Sequence, residues 1–199
     1  MPLIKENPLG PGRPRVQGHD ERIIAAALLL IDSNQRVSIS ALVKESGVSR
    51  AAIYRRWPSL ADLIAAALDQ GRNYPKVDTT GDIKETLFTM MFTHGEESRG
   101  KTYSLRRFRK RLELSLADPD LQRAYWNSHV KKRRDNLLAA LETAKRRDEI
   151  RADVNIEAAL DMLLGVFYYQ LVVRGSSMDD SETKQRCIDG FELVWKGMK

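Results

Sequence analysis

Arginine and tyrosine side chains are concentrated in one short run of the chain, RAAIYRR. A guanidinium group can donate two parallel hydrogen bonds to the edge of a guanine, so Arg50 and Arg55 are candidates for reading bases in a major groove. The hydroxyl of Tyr54 is better suited to a phosphate oxygen, and Arg56 could serve either purpose. The small side chain of Ala51 lets the backbone approach a groove floor closely. The chemistry that this run predicts is recognition of double-stranded DNA.

Two short helices are needed to position these groups, and residues 38–57 (SISALVKESGVSRAAIYRRW) carry the start signals of both. Ser38 can cap the first helix and Ser49 the second, while Gly47 supplies the positive φ that a tight turn between crossed helices usually requires. Ser38 and Ser40 are also candidates for phosphate contacts. Ser49 is a third candidate, because it lies at the positive N-terminal end of the second helix. This is the layout of a helix-turn-helix that reads DNA.

The segment resembles the DNA-binding domain of the TetR-type (tetracycline-repressor-like) bacterial transcriptional regulators. Upstream, residues 20–31 (DERIIAAALLLI) resemble the first helix of that family, and downstream YRRWPSLADLIAAAL resembles its junction into the fourth helix. At motif level the likeness covers about residues 13–71. The chain departs from the family at Leu60, where a lysine that touches a phosphate is common, and at Val43, where alanine is usual.

The resemblance implies an all-α protein with an N-terminal three-helix helix-turn-helix domain and a C-terminal helical domain for ligand binding and dimerisation. We place a flexible basic arm at residues 1–16, the DNA-binding domain at 17–77 and the regulatory domain at 78–199. Residues 1–19 hold four of the seven prolines, as an extended arm would. Arg13 and Arg15 could enter a minor groove, or the arm could be a tail with two incidental arginines.

Helical periodicity continues through the regulatory domain. It predicts helices over about residues 83–94, 105–116, 119–147 and 156–173, and a last helix from about 181. The segment 156–173 is apolar except at Glu157, Asp161 and Gln170, so a single amphipathic neighbour could not cover it.

The resemblance implies that the last two helices pair with their copies in a homodimer. A two-fold dimer would set the recognition helices about 34 to 36 Å apart, in successive major grooves. The alternative is that both helices fill the core of a monomer. The candidate interface residues are Leu164, Phe167, Leu171, Ile188, Phe191 and Trp195.

The family also implies a small-molecule pocket among the C-terminal helices, and a repressor that the ligand releases from a palindromic operator. The aromatic and thioether side chains here suit an apolar or aromatic effector, although most are equally suited to a core. The candidates are Met90, Met91, Phe92, Phe108, Trp126, Phe167 and Tyr168.

Composition agrees with a DNA-binding protein of the cytoplasm. The formal net charge is +6 over 199 residues, which favours an anionic partner. A single cysteine, Cys187, excludes an internal disulfide and a cysteine-based zinc cluster. Neither a signal peptide nor a run of about eighteen uninterrupted apolar residues is present.

An enzyme is the main rival class, and we expect no catalytic site, metal or cofactor. Only three histidines exist, and the nearest approach to a ligand cluster is His94 with Glu96 and Glu97. No glycine-rich phosphate loop and no GxSxG motif occurs.

The second alternative is a helical adaptor that binds protein. That function would not explain the two caps, Gly47 or the arginine-lined helix. The basic clusters at 106–111, 131–134 and 145–147 could form a second nucleic-acid surface, but charge runs of this kind are more typical of solvated helix faces.

Overall fold

The computed structural model describes residues 18–72, 76–93 and 105–199, and these ranges form helices joined by turns, with no strand among them. The predicted all-α fold is therefore confirmed. The predicted basic arm with Arg13 and Arg15 lies outside the described residues, as do His94, Glu96 and Glu97.

The chain divides into two compact units, the first ending at Pro58 and the second beginning at Ser59. The limit of the first unit therefore differs from residue 77, where the sequence analysis ends the DNA-binding domain. The difference arises because the fourth helix, Leu60–Asp69, packs against the helix Pro119–Tyr125 of the second unit.

The first unit consists of three helices: α1 (His19–Asp32), α2 (Ile39–Ser46) and α3 (Arg50–Tyr54). α1 packs against α2, and α2 against α3. Ile23, Ala27, Leu42 and Ile53 are almost completely buried. These apolar contacts form the support on which the short α3 is held.

The turn between α2 and α3 depends on Gly47 and Arg22. Gly47 has a φ of 65°, in the left-handed region that glycine adopts without strain. Its N–H donates to the carbonyl of Val43, and the Arg22 guanidinium of α1 donates to the carbonyl of Ser46. The Ser46 hydroxyl in turn accepts from the N–H of Val48. The turn is thus fastened both to its own helix and to α1.

The second unit contains seven α-helices within its described residues. They are α4 (Leu60–Asp69), α5 (Ile83–Phe88), α6 (Leu105–Ala117), α7 (Pro119–Tyr125), α8 (Lys131–Arg146), α9 (Ile156–Tyr168) and α10 (Ser181–Met198). α4 lies where the family resemblance places a fourth helix, and the other six lie within the ranges that periodicity predicts.

Three π-helical turns continue these helices: Thr89–Thr93 after α5, Trp126–Val130 between α7 and α8, and Tyr169–Val173 after α9. The predicted long helices 119–147 and 156–173 are therefore continuous, each with a π turn inside or at its end. A π turn closes backbone hydrogen bonds five residues apart and changes which side chains share a face.

The core between α5, α8, α9 and α10 of the second unit has an aromatic centre. Phe191 makes edge-on contacts with Phe88 and Phe92 and stacks on Trp195. Phe191 is 0% and Trp195 2% exposed. Their predicted place at a dimer interface is therefore wrong, because both are core residues of the protomer. Leu164, Phe167 and Ile188 also pack against this core, partly buried.

A buried carboxylate ends α4. Asp69 is 6% exposed and accepts hydrogen bonds from the Tyr125 hydroxyl at 2.6 Å and the Arg133 Nη1 at 3.1 Å. His129 Nδ1 lies 3.0 Å from the second carboxylate oxygen. Burial raises the pKa of Asp69, but the hydrogen bonds from His129 and Tyr125 and the charges of His129 and Arg133 outweigh it, so this pKa lies below its ordinary value.

Two basic residues predicted on solvated faces are instead buried. Arg111 is 3% exposed, with its guanidinium 4.8 Å from the centre of the Tyr125 ring. Arg134 is 8% exposed and donates to Asp161 at 2.6 Å and to Glu157, which joins α8 to α9. The expectation of a solvated face is wrong for these residues. The Arg111 guanidinium packs on the buried Tyr125 ring, and that of Arg134 is covered while it pairs with two carboxylates at the surface of α9.

We expect the variant Gly47→Ala to lower the free energy of unfolding by about 1 to 2 kcal/mol. Alanine is strained at this φ, and its Cβ would lie 2.8 Å from Arg22 Nη2. Urea unfolding followed by circular dichroism measures the change. Gly81→Ala is the control, since a Cβ there meets no atom within 4 Å and Gly81 does not have a positive φ. Equal effects of the two substitutions would contradict this account of the turn.

We expect the stabilising effect of the Asp69 carboxylate to disappear in acid. A carboxyl whose pKa is lowered by folding stabilises the fold above its unfolded pKa of about 4, and this contribution is lost as the pH falls through the folded pKa. The difference in melting temperature between wild type and Asp69→Asn should therefore be largest near neutral pH and shrink below about pH 4. A difference that does not change between pH 7 and pH 3 would rule out this assignment.

Candidate nucleic-acid interface

The caps of α2 and α3 form as predicted. The Ser38 hydroxyl oxygen accepts from the N–H of Ala41 at 3.2 Å, and that of Ser49 accepts from the N–H of Ala52 at 3.3 Å. The hydroxyl oxygens of Ser38 and Ser40 are 3.1 Å apart. Because a capping hydroxyl uses its oxygen as acceptor, its hydrogen remains able to donate to a phosphate oxygen.

α3 buries one side and exposes the other. Ala52 and Ile53 face the core of the first unit, and Ile53 is 1% exposed. The exposed residues of α3 and its flanks, together with Ser40, form what we term the recognition face. Its members are Ser40, Ser49, Arg50, Ala51, Tyr54 and Arg55.

Tyr54 is the largest apolar-bodied side chain on this face, at 46% exposure. A tyrosine ring left open on a short helix can deliver its hydroxyl to a phosphate without displacing core residues. Arg50 and Arg55 flank it with exposed guanidinium groups. Donors of the two kinds that DNA recognition uses are therefore presented on the same short segment.

Arg56 does not belong to this face. Its Nε donates to Asp20 of α1 and its Nη1 to the carbonyl of Ala52 at 3.1 Å, and its side chain is only 18% exposed. Arg56 thus fastens the end of α3 to α1, and its contact with DNA stays a prediction. Sequence reasoning missed this pair and the contact of Arg22, because each partner is more than twenty residues away along the chain.

Four of the predicted pocket residues form two aromatic pairs in the second unit. Phe92 stacks on Phe167 with ring centres 5.5 Å apart, and Phe108 packs against Tyr168 at 5.8 Å. Phe167 and Tyr168 are adjacent in the chain, so the two pairs are neighbours. Met90 and Met91 of the π turn before them are partly buried against the core.

Trp126 lies elsewhere. It is 46% exposed on the π turn between α7 and α8, where the Arg134 guanidinium sits 5.7 Å from its ring. Its predicted place in a pocket is therefore corrected to a surface position.

A cleft of about 320 Å³ is present beside Glu149, Arg151 and Trp195, and none of the predicted pocket residues lines it. Among the described residues no group of three or more histidine, cysteine or carboxylate side chains could hold a metal ion.

Two family models match the chain. The model described as "Bacterial regulatory proteins, tetR family" matches residues 23–67, and "Tetracyclin repressor-like, C-terminal domain" matches residues 77–187. The first match contains the recognition face, and the second alone spans more than half of the chain.

Curated relatives extend over most of the sequence. The HTH-type transcriptional regulator YdeS of Bacillus subtilis (strain 168) is 24% identical over 186 residues, covering 92% of this chain and 93% of that protein. The HTH-type transcriptional regulator Rv1556 of Mycobacterium tuberculosis (strain ATCC 25618 / H37Rv) is 25% identical over 166 residues, covering 82% of this chain and 79% of that protein. Both names are those of transcriptional regulators and not of enzymes.

A solved structure shares the fold. The crystal structure of the TetR family transcription regulator SCO0332 superposes with a TM-score of 0.57 and 24% identity, covering 86% of this chain and 95% of that one. The matches of the two family models show that this chain belongs to the TetR family of helix-turn-helix, DNA-binding transcriptional regulators, in agreement with its capped helices and its recognition face.

Proposed function

We propose that the protein is a repressor that binds a palindromic operator as a homodimer and is released by a small apolar or aromatic ligand. The observation that carries the proposal is the recognition face. Its arginines and tyrosine are exposed on a helix whose other side is buried and whose preceding turn is fastened to α1. We place its action in the cytoplasm, with the DNA that it binds.

Within this proposal Arg50 and Arg55 read guanine edges, and Tyr54, Ser38, Ser40 and Ser49 contact phosphates. Arg50 is the first residue of α3, so it lies at the positive end of the helix, where an approaching phosphate backbone is attracted. Ala51, exposed beside it, leaves room for close approach to the groove floor.

The homodimer is supported by apolar side chains that the protomer leaves exposed. Met162, Tyr169 and Val173 follow one another along one side of α9 and its π turn, at 61%, 51% and 68% exposure. Leu193 of α10 is 74% exposed. Large exposed apolar side chains on two helices that already pack together mark a protein contact surface. We propose that these four residues, and not the buried Phe191 and Trp195, contact the second copy.

Segment Ile156–Val173 also meets the length and composition criterion for a membrane-crossing helix, a test that core helices of soluble proteins pass as well. Two of its carboxylates, Glu157 and Asp161, pair with Arg134 of α8. Inserting the segment into a bilayer would break both ion pairs, which favours burial against a second protein copy.

The aromatic pairs Phe92–Phe167 and Phe108–Tyr168 support the apolar or aromatic effector. A ligand of that type would bind among these rings and would have to favour one arrangement of the regulatory helices over another. A differential affinity of a few kcal/mol is sufficient for such a switch.

We expect Arg50→Ala to weaken operator binding by about 1 to 3 kcal/mol and to relax the preference at one base pair. Tyr54→Phe, which keeps the ring, should weaken binding to all duplexes by a similar factor. Arg151→Ala is the control, because it removes an equal charge that pairs with Asp153 in the second unit. Fluorescence anisotropy with selected and scrambled duplexes measures these effects. Equal losses for Arg50→Ala and Arg151→Ala would contradict the recognition face and would return the protein-binding adaptor to consideration.

We expect Val173→Glu and Leu193→Glu each to weaken the dimer at least about tenfold, since each replaces a large apolar contact with a buried charge. Light scattering over a concentration series measures the mass. Leu116→Glu at the end of α6 is the matched control, because Leu116 is as exposed as Leu193 at 74%. If the dimer dissociation constant is unchanged in both test variants, the interface lies elsewhere.

A further inference from the structure

The three partners of Asp69 are spaced four residues apart on one continuous helical segment. Tyr125 ends α7, His129 lies in the π turn, and Arg133 belongs to the first turn of α8. All three side chains converge on the two oxygens of a single carboxylate, at 2.6, 3.0 and 3.1 Å. The segment 119–146 therefore holds the last turn of α4 through one acceptor.

The π turn explains how three residues over eight positions can share one partner. In an α-helix each residue advances about 100°, so positions four apart drift by about 40° and positions eight apart by about 80°. A π turn, with hydrogen bonds five residues apart, is wound more loosely and reduces the drift. The π turn Trp126–Val130 lies within the stretch from Tyr125 to Arg133 and so brings their side chains toward one line.

α4 is also the helix that follows the recognition face along the chain. α3 ends at Tyr54 and α4 begins at Leu60, so only residues 55–59 separate them. This connection contains Pro58, whose ring fixes one backbone angle. We take this short link to be the route by which a change in the position of α4 would reach the recognition helix.

We propose that Asp69 is the positioning residue through which the segment 119–146 sets the position of α4 for DNA binding. The effect of Asp69 on DNA binding rests on the proposed operator function. The contact by which Asp69 holds α4 is independent of that function. Asp69 does not touch DNA in this account. It acts by making α4 follow any lengthwise or rotational movement of the segment that carries Tyr125, His129 and Arg133.

The carboxylate is suited to this role because it tolerates little displacement. A buried charge that loses its donors is strongly destabilised, whereas an apolar contact weakens gradually as surfaces slide. Two discrete arrangements, with donors in place or lost, are what a switch between regulatory states requires.

The first experiment needs no DNA and compares Asp69→Asn with Asp161→Asn by hydrogen exchange and mass spectrometry. Asp161 is the control for loss of a carboxylate that accepts from an arginine of α8, because it lies at the surface and joins α8 to α9 without touching α4. We expect Asp69→Asn to speed exchange of residues 60–69 by about tenfold or more, and Asp161→Asn to leave it unchanged within about twofold. Tyr125→Phe, which removes one donor and keeps the ring, should act in the same direction with a smaller effect.

The second experiment repeats the exchange with and without a duplex selected for tight binding. Coupling is reciprocal, so if α4 and the segment 119–146 are linked, DNA should alter exchange in 119–146 of the wild type. Asp69→Asn should lose this DNA-induced change and bind the duplex about tenfold more weakly, whereas Asp161→Asn should retain both. A residue with only a structural role would lower the melting temperature without removing the change.

The two experiments separate the proposals. Unchanged exchange of α4 in Asp69→Asn would overturn the role of Asp69 whatever happens with DNA. An Asp69→Asn variant that keeps its duplex affinity within about twofold and its DNA-induced change in 119–146 would also overturn it. Wild-type protein that prefers no duplex would refute the operator function, and the first experiment would then decide the hold of Asp69 on α4 by itself.

Discussion

A carboxylate buried at the end of α4 must be surrounded by hydrogen-bond donors, and the continuous helical segment 119–146 supplies them. Asp69 would otherwise be an unpaired charge in a poorly solvated site, which costs several kcal/mol. Its donors come from α7, the following π turn and α8, so the requirement fixes both the register of that segment and the place of α4 against it. The buried apolar residues of α4, among them Leu63 and Leu68, also pack against α7, but such contacts alone would fix the position of α4 less closely.

The first unit solves a different problem, which is to hold a helix of only five residues. α3 is too short to be stable by its own backbone hydrogen bonds. It is held by a capping serine, by the buried Ile53 and by the Arg56–Asp20 ion pair at its end. Arg22 and Gly47 fix the turn that precedes it. None of these contacts uses the side chains of Arg50, Tyr54 or Arg55, which leaves these three side chains available for DNA.

The sequence predicts features whose signals are local and misses those that depend on distant partners. Ser38, Ser49 and Gly47 each act within a few residues, so the helix-turn-helix and its caps could be predicted. Arg56 could not be assigned, because Asp20 is thirty-six residues away. Periodicity identified Phe191 and Trp195 as apolar-face residues, but only the fold shows that neighbouring rings of the same protomer cover them. The π turns and the Asp69 cluster depend on tertiary packing and leave no local pattern.

We propose that this chain recognises a specific palindromic DNA sequence as a dimer. The most direct measurement is a salt titration of binding to a library of palindromic duplexes and to random DNA of equal length, with the mass of the complex recorded. The account predicts two protein copies per duplex and a preference for one palindrome of about a thousandfold or more, retained at physiological salt. Equally weak binding to every duplex, lost with a modest rise in salt, would contradict it and would reduce the recognition face to a cationic surface.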